Sequence, residues 1–171
     1  MNYIKDIPLQ KNNHYNVIIE ILKNTKDKTE LQEPMFNKLE KVTKMSKKYP
    51  YYYGCFPQTL AGDNDPLDMI LLTNKPRNKL DIVNVEPLGM ITTNDYDCED
   101  NKILVKDVDE VIKEIEKYEQ ECLKFLQKVI AKNSQTKIND IIYDKDFAIK
   151  VINKAHEDYL KNKNEEFKVI L

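Results

Sequence analysis

A chain of 171 residues, 41% apolar and 33% charged, is long enough for one folded domain with a substantial core. Its net charge of −2 indicates neither a polyanion-binding surface nor an acidic tail. Met1 to Gln10 carries charges and Pro8, so neither a signal peptide nor a membrane span is expected. Cys55, Cys98 and Cys122 are an odd count without a CxxC pair, which predicts reduced thiols and a cytoplasmic setting. His14 and His156 lie far apart, and neither is near a cysteine in sequence. A His-rich zinc site and a Cys-His nucleophile pair are therefore disfavoured.

Val17-Ile18-Ile19-Glu20-Ile21-Leu22 is a β-branched run that predicts a strand. Glu20 points away from Ile19 and Ile21 on such a strand, and by itself reads as a surface acid. Asn24 to Glu33 is polar and loop-like. If it is extended, Lys28 and Glu30 share a face and form a solvated charge pair. Lys38, Lys41, Lys44, Lys47 and Lys48 follow, either as an exposed basic face or as partners of an anion. Tyr49 to Thr59 is aromatic with Pro50 and Pro57 at its sides, which predicts an irregular strand at a sheet edge or barrel rim. Its aromatics should pack, with one hydroxyl available to a ligand.

Residues 61–72, AGDNDPLDMILL, place Asp63, Asp65 and Asp68 within six positions, directly before an apolar run. Gly62 and Pro66 predict a turn, and Met69 to Leu72 a strand buried on both faces. Two like unit charges about 4 Å apart cost ~1 kcal/mol in water and ~4 kcal/mol near a protein surface. Such a group of acids calls for cations or shifted pKa values, and all-oxygen ligands favour Mg2+ or Mn2+. An acid-rich turn that is merely solvated is the plain alternative. An EF-hand is excluded, because Asp68 and Asn74 stand where that loop needs Gly and Glu.

Leu80 to Ile91 alternates and predicts one or two strands. Thr92 to Asn101 is a second acidic loop, with Asp95, Asp97, Glu99 and Asp100, and Lys102 to Val105 a further strand. The order of acid loop and then apolar strand thus occurs twice. Two such loops facing each other would make a deep carboxylate cluster. From Val111 to Val129 apolar residues recur at helical spacing, with Asp107 or Asp109 as a cap. Asn133 to Lys137 reads as a polar loop, Phe147 to Tyr159 as a second amphipathic helix, and the last residues as a loose tail. Both helical stripes suit packing on a sheet.

Tyr49-Pro50-x-x-Tyr53-Gly54-x-x-Pro57-Gln58-Thr59 followed by Asp63-Asn64-Asp65-Pro66-Leu67-Asp68 resembles the signature of family I soluble inorganic pyrophosphatases. The likeness continues through Pro87-Leu88-Gly89, Asp95 and Glu99-Asp100-Asn101-Lys102, and upstream through Glu20 and Lys28-Thr29-Glu30. It implies an α+β, mainly β fold: a five-stranded barrel of the oligonucleotide-binding (OB) type over about 15–106, with helices over about 107–161. It implies Mg2+-dependent hydrolysis of pyrophosphate to two phosphates, with no nucleic-acid or membrane partner. A homo-oligomer, hexameric or dimeric, is the family expectation.

Carried over by position, Asp63, Asp68 and Asp100 hold the metal that binds the attacking water, and Asp95 shares that cluster. Asp65 is the general base, and Glu20 and Glu30 line the outer metals. Lys28, Lys41, Tyr53 and Lys102 contact phosphate. The chemistry is coherent: cations relieve the repulsion between hydroxide and a dense anion, a carboxylate accepts the proton, and ammonium and hydroxyl groups stabilise phosphate charge.

Two departures stand out. Where the family has an arginine upstream of the Tyr-Pro, this chain has Lys41 or a neighbour, which cannot form the planar bidentate contact. The family's Tyr-Lys dipeptide is absent, and Val129-Ile130 aligns there with Lys128 and Lys132 nearby. The metal half of the site is complete and the phosphate half thinned, so a weakened or non-catalytic relative is the alternative. A nucleotide-sugar transferase lacks its alternating strand-helix domain here, and a haloacid-dehalogenase-type phosphatase its apolar strand before Asp63. A single-strand binding barrel would need a basic stacking groove rather than acid clusters.

Overall fold

The structure is a computed structural model that describes residues 1–130 and 136–169, and only the backbone of Asp95, Ile130, Thr136, 140–143 and 164–169. In chain order the elements are β1 (Gln10–Lys11), β2 (His14–Ile21), β3 (Asp27–Leu31), β4 (Leu39–Lys44), β5 (Tyr52–Cys55), β6 (Asp68–Leu72), β7 (Ile82–Asp95), β8 (Cys98–Glu99), β9 (Lys102–Asp107), α1 (Ile115–Ile130), β10 (Thr136–Tyr143) and α2 (Lys145–Val169). Strands β2, β5, β6, β9 and β7 pair in that order, and β7 returns to β2 through Tyr15↔Val85 to Ile18↔Ile82. The result is a closed five-stranded barrel of the expected OB type.

The apolar runs explain the layers. Met69 and Leu71 join Val17, Ile19, Ile103 and Val105 in one cluster, onto which α2 lays Ala148, Ile152 and Ala155. Ile70 and Leu72 face the other way with Ile91 and Leu104, and α1 covers them with Cys122, Leu123 and Leu126. A strand buried on both faces has no polar position to alternate with. Burial at about 25 cal/mol per Å2 of apolar surface makes these two layers the main stabilising contribution.

Only one barrel pairing, β6 with β9, is parallel, with Asp68↔Lys102 through Leu72↔Lys106. Parallel neighbours begin at the same end, so the acidic segments that precede them meet there. Gly62 lies against Glu99, where an added Cβ would approach the Glu99 backbone oxygen to 3.1 Å. Gly54 has a different role. A Cβ there would overlap the Ile18 carbonyl oxygen, so glycine permits the close approach of β5 to β2.

Several elements differ from the sequence reading. Tyr52–Cys55 is an interior barrel strand between β2 and β6, and not an edge or rim; Pro50 and Pro57 fall just outside it. The supposed loop at 24–33 contains β3, which forms a separate two-stranded sheet with β4. The acidic segment 92–101 is a hairpin: β7 runs to Asp95, and Tyr96 and Asp97 form a two-residue turn with φ of 47° and 67°. Neither Asp107 nor Asp109 caps α1. Asp107 is buried against Arg77 and Lys75, and the helix starts at Ile115, leaving Val111 81% exposed.

Residues 133–135 of the expected polar loop lie outside the described residues, as does Lys132; Thr136 and Lys137 open β10, which pairs with β7. The expected tail is a continuation of α2 to Val169. That helix is capped by Asp144, whose Oδ1 accepts from Phe147 N at 3.0 Å. The three cysteines are free thiols, with Cys55 and Cys122 buried and Cys98 exposed. Among the described residues no helix is long and apolar enough to cross a membrane.

Candidate active site

A cavity of about 370 Å3 opens where β6 and β9 begin. Asp63, Asp65, Asp68, Asp100, Glu20, Glu30 and Glu33 line it, with Lys28 and Lys102, the hydroxyl-bearing Tyr53 and Tyr49, and an apolar wall from α1. Backbone pairing fixes the acid loop: Phe56 N donates to Leu67 O at 2.9 Å, and Leu67 N donates to Thr59 Oγ1 at 2.9 Å. Within it Asp65 N donates to Asp63 Oδ1 at 3.1 Å, and Asn64 takes the left-handed conformation with φ of 70°. On the facing hairpin Asp100 N donates to Thr93 O at 2.9 Å.

Lys102 is the centre of the charge arrangement. Its side chain is 5% exposed, and its ammonium is ion-paired with both Asp68 and Asp100. The same Nζ stands 5.9 Å from the centre of the Tyr53 ring. Burial opposes that charge, but Asp68 and Asp100 outweigh burial and hold the ammonium protonated far above its ordinary range. Asp100 is itself raised, first by burial and then by Asp68, against the pull of Lys102. Tyr53 Oη donates to Asp68 at 3.3 Å, and burial with the Asp68 charge keeps that hydroxyl protonated.

The other acids also bear the marks of crowding. Asp65, at the exposed rim, is pushed up to about 6, first by loss of water on its inner side and then by Asp63, Asp68, Glu30 and Glu33. Asp63 is raised mainly by burial, partly offset by the Asp65 amide. Glu20 is a correction: it is no surface acid but a buried carboxyl, pushed up to about 8 by desolvation. Its Oε1 accepts from Leu31 N at 2.8 Å, which ties β2 to β3 at the cavity floor. Lys28 and Glu30 do share a face of β3, with Nζ 2.5 Å from Oε1, but they line the cavity. Burial works against the Lys28 charge, and Glu30 more than restores it.

One expected residue stands outside the cavity lining. Lys41 lies on β4 opposite Thr29, its ammonium 2.8 Å from Asp27 Oδ1, and it is not among the residues that line the cavity. Asp95 ends β7, and its side chain lies outside the described residues. Glu33, Met45, Tyr49, Phe125 and Leu126 line the cavity without having been singled out as site residues. Glu33 follows β3 with no pattern of its own in the sequence; the fold brings it into the lining, where its charge acts on Asp65. Phe125, Leu126 and Val129 sit on α1, and of these Val129 stands at the position aligned with the family's Tyr-Lys pair.

Among the described residues no three carboxylates, imidazoles or thiols converge at ligand spacing. The donor set nevertheless suits a hard divalent cation: it is all oxygen, it exceeds its ammonium partners, and a cationic group is already drawn between Asp68 and Asp100.

Comparison with known proteins agrees. Residues 17–160 match the family described as inorganic pyrophosphatase. The chain is 32% identical over 155 residues to the inorganic pyrophosphatase of Nanoarchaeum equitans, covering 84% of this chain and 96% of that one. It is 39% identical over 90 residues to the Synechocystis inorganic pyrophosphatase, and there it spans about half of each chain, 52% and 53%. The crystal structure of a type I inorganic pyrophosphatase from P falciparum superposes with a TM-score of 0.89 at 24% identity, covering 99% of this chain and 66% of that one.

Proposed function

The chain belongs to the inorganic pyrophosphatase family, and we propose that it hydrolyses pyrophosphate to two orthophosphates with Mg2+ as its cation and Asp65 as its base. The observation that carries this reading is the gathering, among the described residues, of seven carboxylates and two ammonium groups around one cavity. Asp63, Asp68 and Asp100 would hold the central cation, with Glu20 and Glu30 toward the outer positions. Bound there, the cation lowers the pKa of water and neutralises phosphate charge.

The chain's own groups supply the rest. Asp65 is the exposed acid at the rim, it forms no ion pair with an ammonium among the described residues, and its carboxyl, pushed up to about 6, is ionised and basic at neutral pH. Its carboxylate accepts the proton of the attacking water. Lys28 and Lys102 face the phosphate oxygens as fixed positive charge, and the protonated Tyr53 hydroxyl donates to the same anion. No covalent nucleophile is needed.

Phosphate release from pyrophosphate, with and without Mg2+, tests the reading. Asp65→Asn is expected to lower kcat roughly 100- to 10,000-fold with an unchanged thermal melt. Wild type and variant equally inert would establish the non-catalytic reading instead.

A further inference from the structure

We infer that a second cavity, behind the acid loop, binds small aromatic carboxylates and that its occupant bears on Asp65. It measures about 260 Å3 and lies between the N-terminal segment, the β3–β4 connection, the loop between β5 and β6, and α2. Glu33, Phe36 and Pro66 line both this cavity and the first, so the two share a wall. Binding here does not depend on the diphosphatase reading, whereas its effect on turnover rests on it.

The lining sets the class of ligand. Phe36 and Tyr159 supply aromatic surface and Leu60 aliphatic surface, against which a ring packs favourably. Lys5, from the N-terminal segment, and Lys163, from α2, bring ammonium groups to the same space, and these favour an anion. The volume is just under the roughly 300 Å3 at which sites for drug-sized molecules begin, so it suits a single ring with a short acidic arm.

The link to the first site runs through the backbone. Asn64 and Pro66, on either side of Asp65, both line the second cavity. Thr59, buried in the same lining, accepts from Leu67 N at 2.9 Å and donates to Phe56 O at 2.8 Å, which anchors the loop that carries Asp65. Phe36 has a left-handed backbone with φ of 43°, a costly conformation for a bulky residue. It is held there because Phe36 N donates to Gln32 O at 2.8 Å and Tyr3 N donates to Phe36 O at 2.9 Å. A ring packed on Phe36 and Pro66 therefore presses on the groups that position Asp65.

Amide NMR titrations of the metal-free protein in EDTA test this, with 3-phenylpropionate, its neutral amide and propionate as probes. 3-Phenylpropionate is expected to bind about tenfold or more tighter than propionate, because its ring is buried, and about twofold or more tighter than the amide, because of its charge. The amides of Asn64 and Asp65 should shift together with those of Tyr159 and Lys163. Asn162→Trp, at an exposed position of α2 in the same lining, should fill the cavity and weaken binding about tenfold or more. Equal affinity in wild type for 3-phenylpropionate and propionate, or for acid and amide, would overturn the ligand class. Unchanged affinity in Asn162→Trp would overturn the location, and unshifted Asn64 and Asp65 amides the link to the acid loop. In Mg2+, saturating 3-phenylpropionate should change kcat for pyrophosphate about twofold or more in wild type and leave that of Asn162→Trp unaltered; no change in wild type would again overturn the link. If pyrophosphate is not split at all, the diphosphatase reading alone fails, and the titrations still decide the site.

Discussion

Substituting Lys102→Met isolates the charge arrangement at the heart of the cavity. Methionine keeps most of the volume and removes the ammonium that joins Asp68 to Asp100. Both acids are then left facing each other in a partly buried site. Removing one partner of a buried ion pair costs ~3–5 kcal/mol. Asp68 is 28% and Asp100 20% exposed, so water screens part of the repulsion and the lower end applies. About 3 kcal/mol corresponds to a fall in Tm of roughly 6–12 °C for a chain of this size. Urea unfolding at pH 8 in EDTA measures it directly. Repeating the titration in Mg2+ is expected to recover more stability in the variant than in wild type, because a cation there replaces the lost charge. Lys38→Met, which breaks an exposed pair with Glu40, serves as the control and should cost less than ~0.5 kcal/mol. A variant within 1 kcal/mol of wild type by the linear extrapolation (about the limit of such measurements), or an identical Mg2+ response in both, refutes the reasoning.

The remaining expectations test the frame around that centre. Glu20 has its folded pKa raised to about 8 from 4.5, so its proton adds stability that is complete below pH 4.5 and lost as pH rises toward 8. In the metal-free protein this amounts to on the order of 3–5 kcal/mol. Glu20→Gln should flatten that slope between pH 5 and pH 8 in urea unfolding; an unchanged slope would remove Glu20 as its source. Gly54→Ala places a methyl group on the Ile18 carbonyl oxygen and should cost about 3 kcal/mol or more, or prevent folding; a Tm close to wild type would show that β2 and β5 can separate. Lys41→Arg, had Lys41 stood at the phosphate, would tighten substrate binding. With its ammonium on Asp27 it should leave KM within about twofold, and a tenfold fall would return it to the site.

How far the sequence could be read depended on whether a residue's neighbours are local. Met69 to Leu72 declared itself as a doubly buried strand because its whole environment follows from an unbroken apolar run. The acids of 63–68 and 100 were legible for a related reason: like charges in a short segment need an explanation wherever they fold. Glu20 was not legible from its own strand, since alternation alone turns it outward; β3, joined to it by Leu31, supplies the cover that buries it. For Lys41 an alignment position says nothing of side-chain partners, and the structure pairs its ammonium with Asp27. Asp107 reads equally well as a cap or as a buried partner until Arg77, thirty positions earlier, is brought against it. β10 escaped notice because Ile138 and Ile142 sit in a polar stretch whose strand character comes from pairing with β7.

The parallel pairing of β6 with β9 links these findings. It places two acidic segments at one end of the barrel, and the buried runs behind them hold that end rigid, so the repulsion cannot relax by movement of the strands. Charge must therefore be balanced within the cavity, and in the absence of other cations Lys102 does so. Yet an ammonium held by Asp68 and Asp100 is not free to meet a phosphate oxygen. On the proposed function the two duties of Lys102 would compete until a divalent cation took over the first. Cation and substrate binding would then be thermodynamically coupled through one side chain, and by reciprocity each would tighten the other. Lys102→Met breaks the coupling from the protein's side: the cation should bind the variant at least as tightly as wild type, while pyrophosphate no longer strengthens it. A calorimetric titration of Mg2+ with and without a non-hydrolysable diphosphonate reads both terms, and equal coupling in variant and wild type would assign it to another residue.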